Sequence, residues 1–384
     1  MPKLRFPEFK NDDSWNEREL SELGHFTGGG TPSKEIEGFW QGDIPWISSS
    51  DINEESITEI NINRYISEAA LKNSATKLVP KNSILLISRV GVGKLAITNE
   101  SICTSQDFTS FTPIKDNLIF LAYYLKFQKK SLLSYSQGMA IKGFTKDDII
   151  KLKLFIPYLK EQQKIADCLS SLDDLITAEN DRLDALKKHK KGLMQQLFPA
   201  EGEKVPKFRF PEFKNSGDWE EMKLGEVCTS IASGKDKLEL EGALDLYGST
   251  GIIGKTNSNS FTGDFILVAR VGANAGMLNK VHGTFGVTDN TLVLSLQKDQ
   301  KLNFVYYLLD NFGLNKLIFG SGQPLVTGGQ LKNLLFTFPN FLEQGKIADC
   351  LSALDEQINK QVQKIENLKL HKKGLMQDLF PRKF

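Results

Sequence analysis

The chain has 384 residues, of which 40% are apolar and 25% charged, and its 48 Lys and Arg residues are balanced by 47 Asp and Glu residues. This length exceeds one ordinary domain and supports two domains with substantial cores. The near-neutral charge, which holds along the whole chain, excludes a strongly basic nucleic-acid binder that acts alone. No apolar run of about 18 residues and no secretion signal are present, so we expect a cytoplasmic protein without a membrane span.

The chain contains an internal repeat. Three pairs of segments match almost letter for letter: residues 2–11 (PKLRFPEFKN) and 206–215 (PKFRFPEFKN), 164–173 (KIADCLSSLD) and 346–355 (KIADCLSALD), and 189–199 (HKKGLMQQLFP) and 371–381 (HKKGLMQDLFP). The offset falls from 204 to 182 residues, so the first copy has a longer interior. A duplicated chain predicts two similar halves related by a pseudo-two-fold axis. Such a molecule suits a partner with two-fold character, such as duplex DNA or a pair of identical subunits.

Residues 1–158 are predicted to form a mostly β globular part. Residues 84–91 (ILLISRVG) are typical of an apolar strand that ends at Arg and Gly, and residues 120–125 (FLAYYL) of a short packed helix. Gly28-Gly29-Gly30 marks a turn between such elements.

Residues 159–198 are predicted to form one long helix, between Pro157 and Pro199. Apolar residues recur in alternating steps of four and three, which indicates a coiled-coil seam. The seam consists of Ile165, Leu169, Leu172, Ile176, Leu183, Leu186, Leu193 and Leu197.

The second copy repeats this order, with a mostly β part at residues 199–340 and a helix at residues 341–384. Its strand and packed helix are residues 265–272 (FILVARVG) and 303–308 (NFVYYL). Its seam consists of Ile347, Leu351, Leu354, Ile358, Ile365, Leu368, Leu375 and Leu379. Polar residues interrupt both seams at the same positions, Glu179 with Gln361 and Lys190 with Lys372, which indicates register setting or a contact site.

An exposed apolar stripe on a helix of ~58 Å needs a partner, and the other copy is the nearest one. Because a globular part separates the helices in sequence, we expect them to pair antiparallel. We also expect the two termini to lie close together, since the N-terminal segment reads as the continuation of the C-terminal one. The predicted fold is therefore α+β, with two mostly-β domains separated by an antiparallel coiled coil, pseudo-two-fold and circularly arranged.

Further motifs carry a family resemblance across the whole chain. They are Gly30-Thr31-Pro32-Ser33 followed by residues 43–47 (DIPWI), the helix entries Glu161-Gln162-x-Lys164-Ile165-Ala166 and Glu343-Gln344-x-Lys346-Ile347-Ala348, Arg270-Val271-Gly272-x-x-x-Gly276, and Thr288-Asp289-Asn290. In this order, within a duplicated chain, they resemble the specificity subunit of type I restriction-modification systems. The second copy departs from the family pattern, since it has Ser233-Gly234-Lys235 in place of the Thr-Pro-Ser loop.

The resemblance implies a subunit without catalytic activity of its own. It implies target-recognition domains at residues 1–158 and 199–340, each reading half of a split site in double-stranded DNA. The spacer helices at residues 159–198 and 341–384 would set the gap between the halves and dock two methyltransferase subunits. Those subunits would methylate adenine at N6 with S-adenosylmethionine, and motor-nuclease subunits would use ATP and magnesium. No cofactor or metal is expected in this chain.

Base reading requires side chains with directional donors and acceptors on loops. The candidates in the first domain are Thr31, Ser33, Lys34, Ser48, Ser49, Ser50, Arg89, Lys94, Gln106, Lys142 and Lys146. Those in the second are Ser233, Lys235, Tyr247, Ser249, Thr250, Arg270, Asn274, Asn290, Ser321 and Gln323. Arg89 and Arg270 recur in both copies, which favours a framework or phosphate role over base reading. The Ser, Thr and Gly clusters also fit turns, and Trp15, Trp46 and Trp219 fit a core.

Enzyme signatures are weak. Gly91-Val92-Gly93-Lys94 lacks the flanking residues of a phosphate loop, and no Asn-Pro-Pro-aromatic or Asp-Pro-Pro-aromatic motif of an adenine methyltransferase occurs. Four cysteines without paired spacing indicate reduced thiols rather than a metal site. Two other readings stay open: a coiled-coil adaptor whose globular parts bind proteins, and an enzyme with unrecognised chemistry in one part.

Overall fold

The computed structural model describes residues 2–89, 91–129, 146–318 and 324–381, apart from the side chain of Lys146. The chain divides into two compact units. Unit 1 comprises Met1–Asn180 and Lys364–Phe384, and unit 2 comprises Asp181–Gln363. Each unit therefore contains one sheet-rich part and a portion of both long helices, which confirms the predicted α+β class.

Unit 1 is built from short strands. Its elements are β1 (Asn16–Glu19), α1 (Leu20–Leu23), β2 (Gly24–Gly28), β3 (Ile44–Ile47), β4 (Tyr65–Ile66), α2 (Glu68–Asn73), β5 (Leu78–Val79), β6 (Ser83–Ile87), β7 (Leu95–Thr98), β8 (Ile102–Thr104), β9 (Phe108–Pro113), α3 (Leu118–Phe127), α4 (Lys146–Ile150), β10 (Lys153–Ile156) and the start of α5 (Leu159–Leu197), with 3-10 turns at Pro7–Phe9, Glu37–Trp40 and Ser49–Asp51. The strands form three sheets, in the orders β1-β10, β2-β9-β6-β7 and β4-β3-β8-β5. Only β3 and β8 pair in parallel among these described strands.

Strand β6 shows how the predicted apolar run folds. All five of its residues are buried, so it has no solvent-facing side. Ile84 and Leu86 belong to the core that contains Phe120 of α3, whereas Leu85 and Ile87 belong to a second core on the opposite face. This division follows from the two-residue period of a strand, which sends successive side chains to opposite faces.

Unit 2 repeats this plan with longer strands. Its elements are the end of α5, β11 (Glu220–Lys223), α6 (Leu224–Val227), β12 (Cys228–Ser233), β13 (Leu244–Gly248), β14 (Gly251–Thr256), β15 (Phe261–Ala269), β16 (Leu278–Val287), β17 (Thr291–Leu296), α7 (Leu302–Phe312), α8 (Gly328–Lys332), β18 (Leu335–Phe338) and the start of α9 (Phe341–Leu379), with 3-10 turns at Pro211–Phe213 and Leu314–Leu317. One six-stranded sheet has the order β12-β17-β15-β16-β13-β14, and β11 pairs with β18.

The longer interior of the first copy lies partly between β3 and β4. In unit 1 residues 48–64 connect these strands, and α2 follows to cover them. In unit 2 the matching strands, β13 and β14, are joined by the two-residue turn Ser249-Thr250. The framework strands on either side keep their pairing, because the additional residues form surface loops rather than core.

Helices α5 and α9 run antiparallel within each unit. In unit 1 Lys372 pairs with Asp173 and Lys364 with Glu179, so the residue numbers of the partners decrease along α9 as they increase along α5. In unit 2 Leu197 shares a core with Ile347, and Lys190 lies 2.6 Å from Asp355. These pairs confirm the predicted antiparallel arrangement. The seam side chains are all buried or half-buried.

The repeated RFPEF segment attaches to the start of a long helix in each unit. Arg5 donates two hydrogen bonds of 2.8 Å to the Glu161 carboxylate, and Arg209 donates two of 2.7 and 2.8 Å to Glu343. Both carboxylates are only 1% exposed. Bidentate pairs of this kind are strong and directional.

The same segment also reaches the end of the other long helix. The backbone N–H of Leu4 donates to the carbonyl of Asp378 over 2.9 Å, within unit 1. The backbone N–H of Phe208 donates to the carbonyl of Gln196, also over 2.9 Å, within unit 2. The N-terminal segment thus occupies, after α9, the place that residues 206–213 occupy after α5, which confirms the predicted closeness of the termini.

Candidate functional site

Four loops of unit 1 meet around the connection between β8 and β9. The Ser105 N–H donates to the Ile47 carbonyl (2.9 Å), the Ser88 N–H to the Asp107 carbonyl (2.8 Å), and the Gly30 N–H to the Thr104 carbonyl (2.8 Å). The loops that follow β2, β3, β6 and β8 are therefore joined by backbone hydrogen bonds. We call residues 29–31, 48–51, 88–89 and 105–107 loop cluster 1.

Residues 48–51 of loop cluster 1 are held by two side chains that the sequence did not single out, Arg64 and Asp51. The Asp51 carboxylate accepts from the Ser48 N–H (2.7 Å) and pairs with Arg64, which also donates to the Ser48 hydroxyl (2.8 Å). The Arg64 guanidinium lies 4.7 Å from the centre of the Trp46 ring. The Ser-x-x-Asp spacing of a capping box was the available signal for Asp51, but nothing local indicated Arg64.

Loop cluster 2 in unit 2 comprises residues 233–236, 247–251, 270 and 288–290, which are joined in the same way. The Thr288 N–H donates to the Tyr247 carbonyl (2.9 Å) and the Arg270 N–H to the Asn290 carbonyl (2.9 Å). The Asp236 N–H donates to the Val287 carbonyl (2.9 Å), and its carboxylate accepts from the Val287 N–H (2.7 Å). The two clusters share one backbone scaffold.

One glycine in each cluster allows two loops to approach closely. A Cβ atom on Gly29 would lie 1.9 Å from the Ser105 carbonyl oxygen, and one on Gly234 would lie 2.0 Å from the Val287 carbonyl oxygen. The Gly29 N–H donates to the Phe108 carbonyl, and the Gly234 N–H donates to the Thr291 carbonyl. The loop at Ser233-Gly234-Lys235 therefore stands where unit 1 has its Gly-Gly-Gly-Thr loop, despite the different sequence.

Most of the candidate residues lie in or beside these clusters. Thr31, Ser48, Ser49, Ser50, Arg89 and Gln106 belong to loop cluster 1, and Ser233, Lys235, Tyr247, Ser249, Thr250, Arg270 and Asn290 belong to loop cluster 2. Lys94 and Asn274 lie in the hairpin turns after β6 and β15, and Ser33 and Lys34 continue the loop after Thr31. The Thr31 and Gln106 side chains form a hydrogen bond with each other. Lys142, Ser321, Gln323 and the side chain of Lys146 lie outside the described residues.

The repeated Arg-Val-Gly letters align Arg89 with Arg270, but the strand register does not. Ile87 pairs with Phe108, and Ala269 pairs with Thr291. The residues that follow, Ser88 and Arg270, then make equivalent backbone hydrogen bonds: the Ser88 N–H donates to the Asp107 carbonyl and the Arg270 N–H to the Asn290 carbonyl. Arg270 thus corresponds in position to Ser88, and Arg89 is an exposed residue one step further along its turn.

In each unit a tyrosine of the sheet-rich part contacts an aspartate of one long helix, and that aspartate pairs with a lysine of the other long helix. The Tyr123 hydroxyl donates to Asp173 (2.5 Å), which pairs with Lys372, and the Tyr307 hydroxyl donates to Asp355 (2.6 Å), which pairs with Lys190. Burial, together with the adjacent carboxylate, raises the pKa of Tyr123 and of Tyr307. The hydroxyls therefore stay protonated donors, which suits a structural contact.

A cleft of about 770 Å³ in unit 1 borders the contact between Asp173 and Lys372. It is lined by the loop at residues 53–59, the end of α3 and both long helices. Burial, with a smaller contribution from Lys372, lowers the pKa of the Lys126 ammonium in this cleft to about 8. Its Nζ donates to the Glu55 carbonyl over 3.0 Å.

The described residues contain no group of His, Cys, Asp and Glu side chains suited to holding a metal ion. Trp15, Trp46 and Trp219 are buried, as expected for core residues. The four cysteines are free thiols, and burial raises the pKa of Cys228 to about 12. No helix in the part of the chain that the structure describes is long and apolar enough to cross a membrane.

Comparison with known proteins gives a consistent result. The family model described as "Type I restriction modification DNA specificity domain" matches residues 12–188 and 216–370. The MjaIX specificity subunit of Methanocaldococcus jannaschii is 31% identical over 264 residues, which are 63% of this chain and 59% of that relative. The EcoprrI specificity subunit of Escherichia coli is 28% identical over 362 residues, covering 88% of this chain and 87% of the relative.

Solved structures show a similar fold. The S subunit of a type I restriction-modification system from M. genitalium covers the whole of both chains, with a TM-score of 0.62 and 18% identity. A structure concerned with complex assembly and conformational transition of the type I system covers 99% of both chains, with a TM-score of 0.63 and 14% identity.

Proposed function

Because this chain belongs to the type I restriction-modification DNA specificity family, we propose that its two sheet-rich parts each read one half of a split DNA site. The observation that carries this proposal is that one backbone scaffold holds different side chains in the two loop clusters. The backbone positions of Thr31 and Gln106 in loop cluster 1 correspond to those of Asp236 and Asp289 in loop cluster 2. A shared scaffold with different donors and acceptors suits two readers of different sequences.

In this proposal the helix pair sets the gap between the two half-sites. Each long helix is continuous for 39 residues, or ~58 Å at ~1.5 Å per residue. Half-sites on one face of DNA lie about 34–36 Å apart, a single helical turn, so the helices are long enough. The lysine–aspartate pairs between the helices favour one register, because a shift would separate them.

The proposal assigns catalysis to partner subunits. Two methyltransferase subunits would dock on the helices, where Leu175 and Leu370 are 40% and 64% exposed. They would bring S-adenosylmethionine and methylate adenine at N6, and motor-nuclease subunits would bring ATP and magnesium. Shared phosphate contacts in such an assembly account for the net charge of only +1 on this chain.

The experiment that tests this function is a map of N6-methyladenine in the host genome with and without this gene. We expect a two-part motif that disappears when the gene is removed. An unchanged methylation profile would contradict DNA recognition. It would then favour the alternative, an adaptor whose sheet-rich parts bind proteins.

The spacing role has its own test, the insertion of seven residues after Asn180 and after Gln363, where the two units meet in sequence. One added heptad preserves the seam and lengthens each helix by ~10 Å, or about three base pairs. We expect the same half-sites with a wider gap. An unchanged gap would show that the helices do not set the spacing.

A further inference from the structure

Arg270 stands at a position where the two units differ, although their backbones agree. In unit 1 the same position is Ser88, whose N–H makes the equivalent hydrogen bond. The Arg270 backbone is held at both ends, by the Asn290 carbonyl (2.9 Å) and by the Val326 N–H (2.8 Å). Since serine supports the same strand end in unit 1, the scaffold does not require an arginine here.

The guanidinium of Arg270 has spare hydrogen-bonding capacity. Of its five donors, one on Nη1 makes a long bond of 3.4 Å to the Asp289 carbonyl, and the buried Nε has no partner among the residues that the structure describes. The Thr288 and Thr291 hydroxyls are likewise buried and unpaired within the described part of the chain, and Thr291 is only 1% exposed. Buried polar atoms without partners are uncommon in folded proteins, so this group of them beside an arginine requires an explanation.

The corresponding place in unit 1 is satisfied internally. The Ser88 hydroxyl donates to the Asp107 carbonyl (3.1 Å), and the Thr109 hydroxyl donates to Ser88 (3.2 Å). Thr76, Thr104 and Ser110 of unit 1 also have buried hydroxyls without partners among the described residues, but at the position of Arg270 itself the side chain of unit 1 is satisfied and that of unit 2 is not.

Resting on the proposed function, we propose that Arg270 reads a guanine in the half-site of the second recognition domain. Its two terminal nitrogens would donate to guanine O6 and N7 in the major groove, the commonest specific contact of arginine. A phosphate partner is disfavoured because, besides Arg270, loop cluster 2 carries two carboxylates, Asp236 and Asp289, against one cation, Lys235. A carboxylate can instead accept from N4 of the paired cytosine, so the pair read is G·C.

The first test is Arg270→Ser, which installs the residue of unit 1, in the full chain with its methyltransferase partner. We expect one G·C position in one half-site to become degenerate, with discrimination reduced about 10- to 100-fold. The other half-site stays unchanged. Lys298→Ala is the control, because Lys298 is exposed beyond the far end of β17 and its loss should leave the motif intact. A weaker but identical motif after Arg270→Ser would overturn the proposal and indicate a phosphate or framework contact.

A second test uses the wild-type complex and avoids any folding defect of the variant. Each guanine of both half-sites is replaced in turn by 7-deazaguanine, which lacks the N7 acceptor. We expect one position in one half-site to weaken binding about 10-fold, and Arg270→Ser to abolish that sensitivity where it folds. Equal affinity for all substituted duplexes would refute the guanine contact. Absence of any two-part motif in the wild type would instead refute the proposed function.

Discussion

Lys190 of α5 lies 2.6 Å from Asp355 of α9, and Lys372 pairs with Asp173 in the same manner with the helices exchanged. Each helix therefore supplies one aspartate and one lysine to the two contacts. In both, a tyrosine from the neighbouring sheet-rich part donates to the aspartate. The two lysines that interrupt the seams thus take part in the contacts that connect each sheet-rich part to both helices.

Removal of Asp355 should destabilise unit 2. Asp355→Ala removes the carboxylate from the half-buried Lys190 ammonium and leaves the Tyr307 hydroxyl only its longer bond to Ser352 (3.3 Å), at a cost of about 1–3 kcal/mol in the free energy of unfolding. Urea unfolding measures this loss. With Lys190→Met as the second change, we expect the double variant to lose less than the sum of the single variants. Strictly additive losses would show that the two side chains do not interact.

The two ion pairs of the RFPEF segment in unit 2 should differ in strength. Glu343→Gln disrupts the buried bidentate pair with Arg209 and should lower the free energy of unfolding by about 3 kcal/mol. Glu212→Gln removes the exposed partner of Lys346, 3.1 Å away, and should leave the free energy of unfolding almost unchanged because solvent screens this pair. Thermal unfolding of both variants provides the comparison. Similar losses would contradict the importance of burial here.

Gly29 of loop cluster 1 and the preceding Gly28, the last residue of β2, provide a matched pair. Gly29→Ala forces a Cβ against the Ser105 carbonyl oxygen, and the displaced loops should cost about 1–3 kcal/mol. Gly28→Ala is the control, since no described residue other than its chain neighbours has an atom within 4 Å of the added Cβ. Hydrogen exchange of the Ser105 amide should accelerate in the first variant only. Equal protection in both would show that the two loops can separate freely.

Lys126 should make the stability of unit 1 depend on pH. Its pKa is lowered to about 8 by burial, then by Lys372, against an ordinary value of 10.5. Between these values the unfolded chain binds more protons than the folded one, so stability rises with pH through this window. Relative to Lys126→Met, which removes this group, the wild type should gain on the order of 1 kcal/mol between about pH 7 and 9.5. Urea unfolding at both pH values tests this, and a constant difference would contradict it.

The repeat, the helices and their seam could be predicted from the sequence because their signals are local. Heptad spacing and flanking prolines act over a few residues. The two helices that carry this pattern, Leu159–Leu197 and Phe341–Leu379, each span 39 residues. The antiparallel direction followed from the order of segments along the chain. Most candidate loop residues also came from local composition, since turns favour Gly, Ser and Thr.

Only the tertiary structure decided which loops meet and what each polar residue contacts. Arg64 reaches Ser48 across 16 positions, and Lys190 reaches Asp355 across 165, distances over which spacing carries no signal. The correspondence of Arg270 with Ser88 likewise depends on strand pairing, because the repeated Arg-Val-Gly letters align a different residue. Local sequence determines the periodicity of the helices and where they end, whereas the hydrogen-bond register between distant strands determines which residues occupy equivalent positions in the two loop clusters.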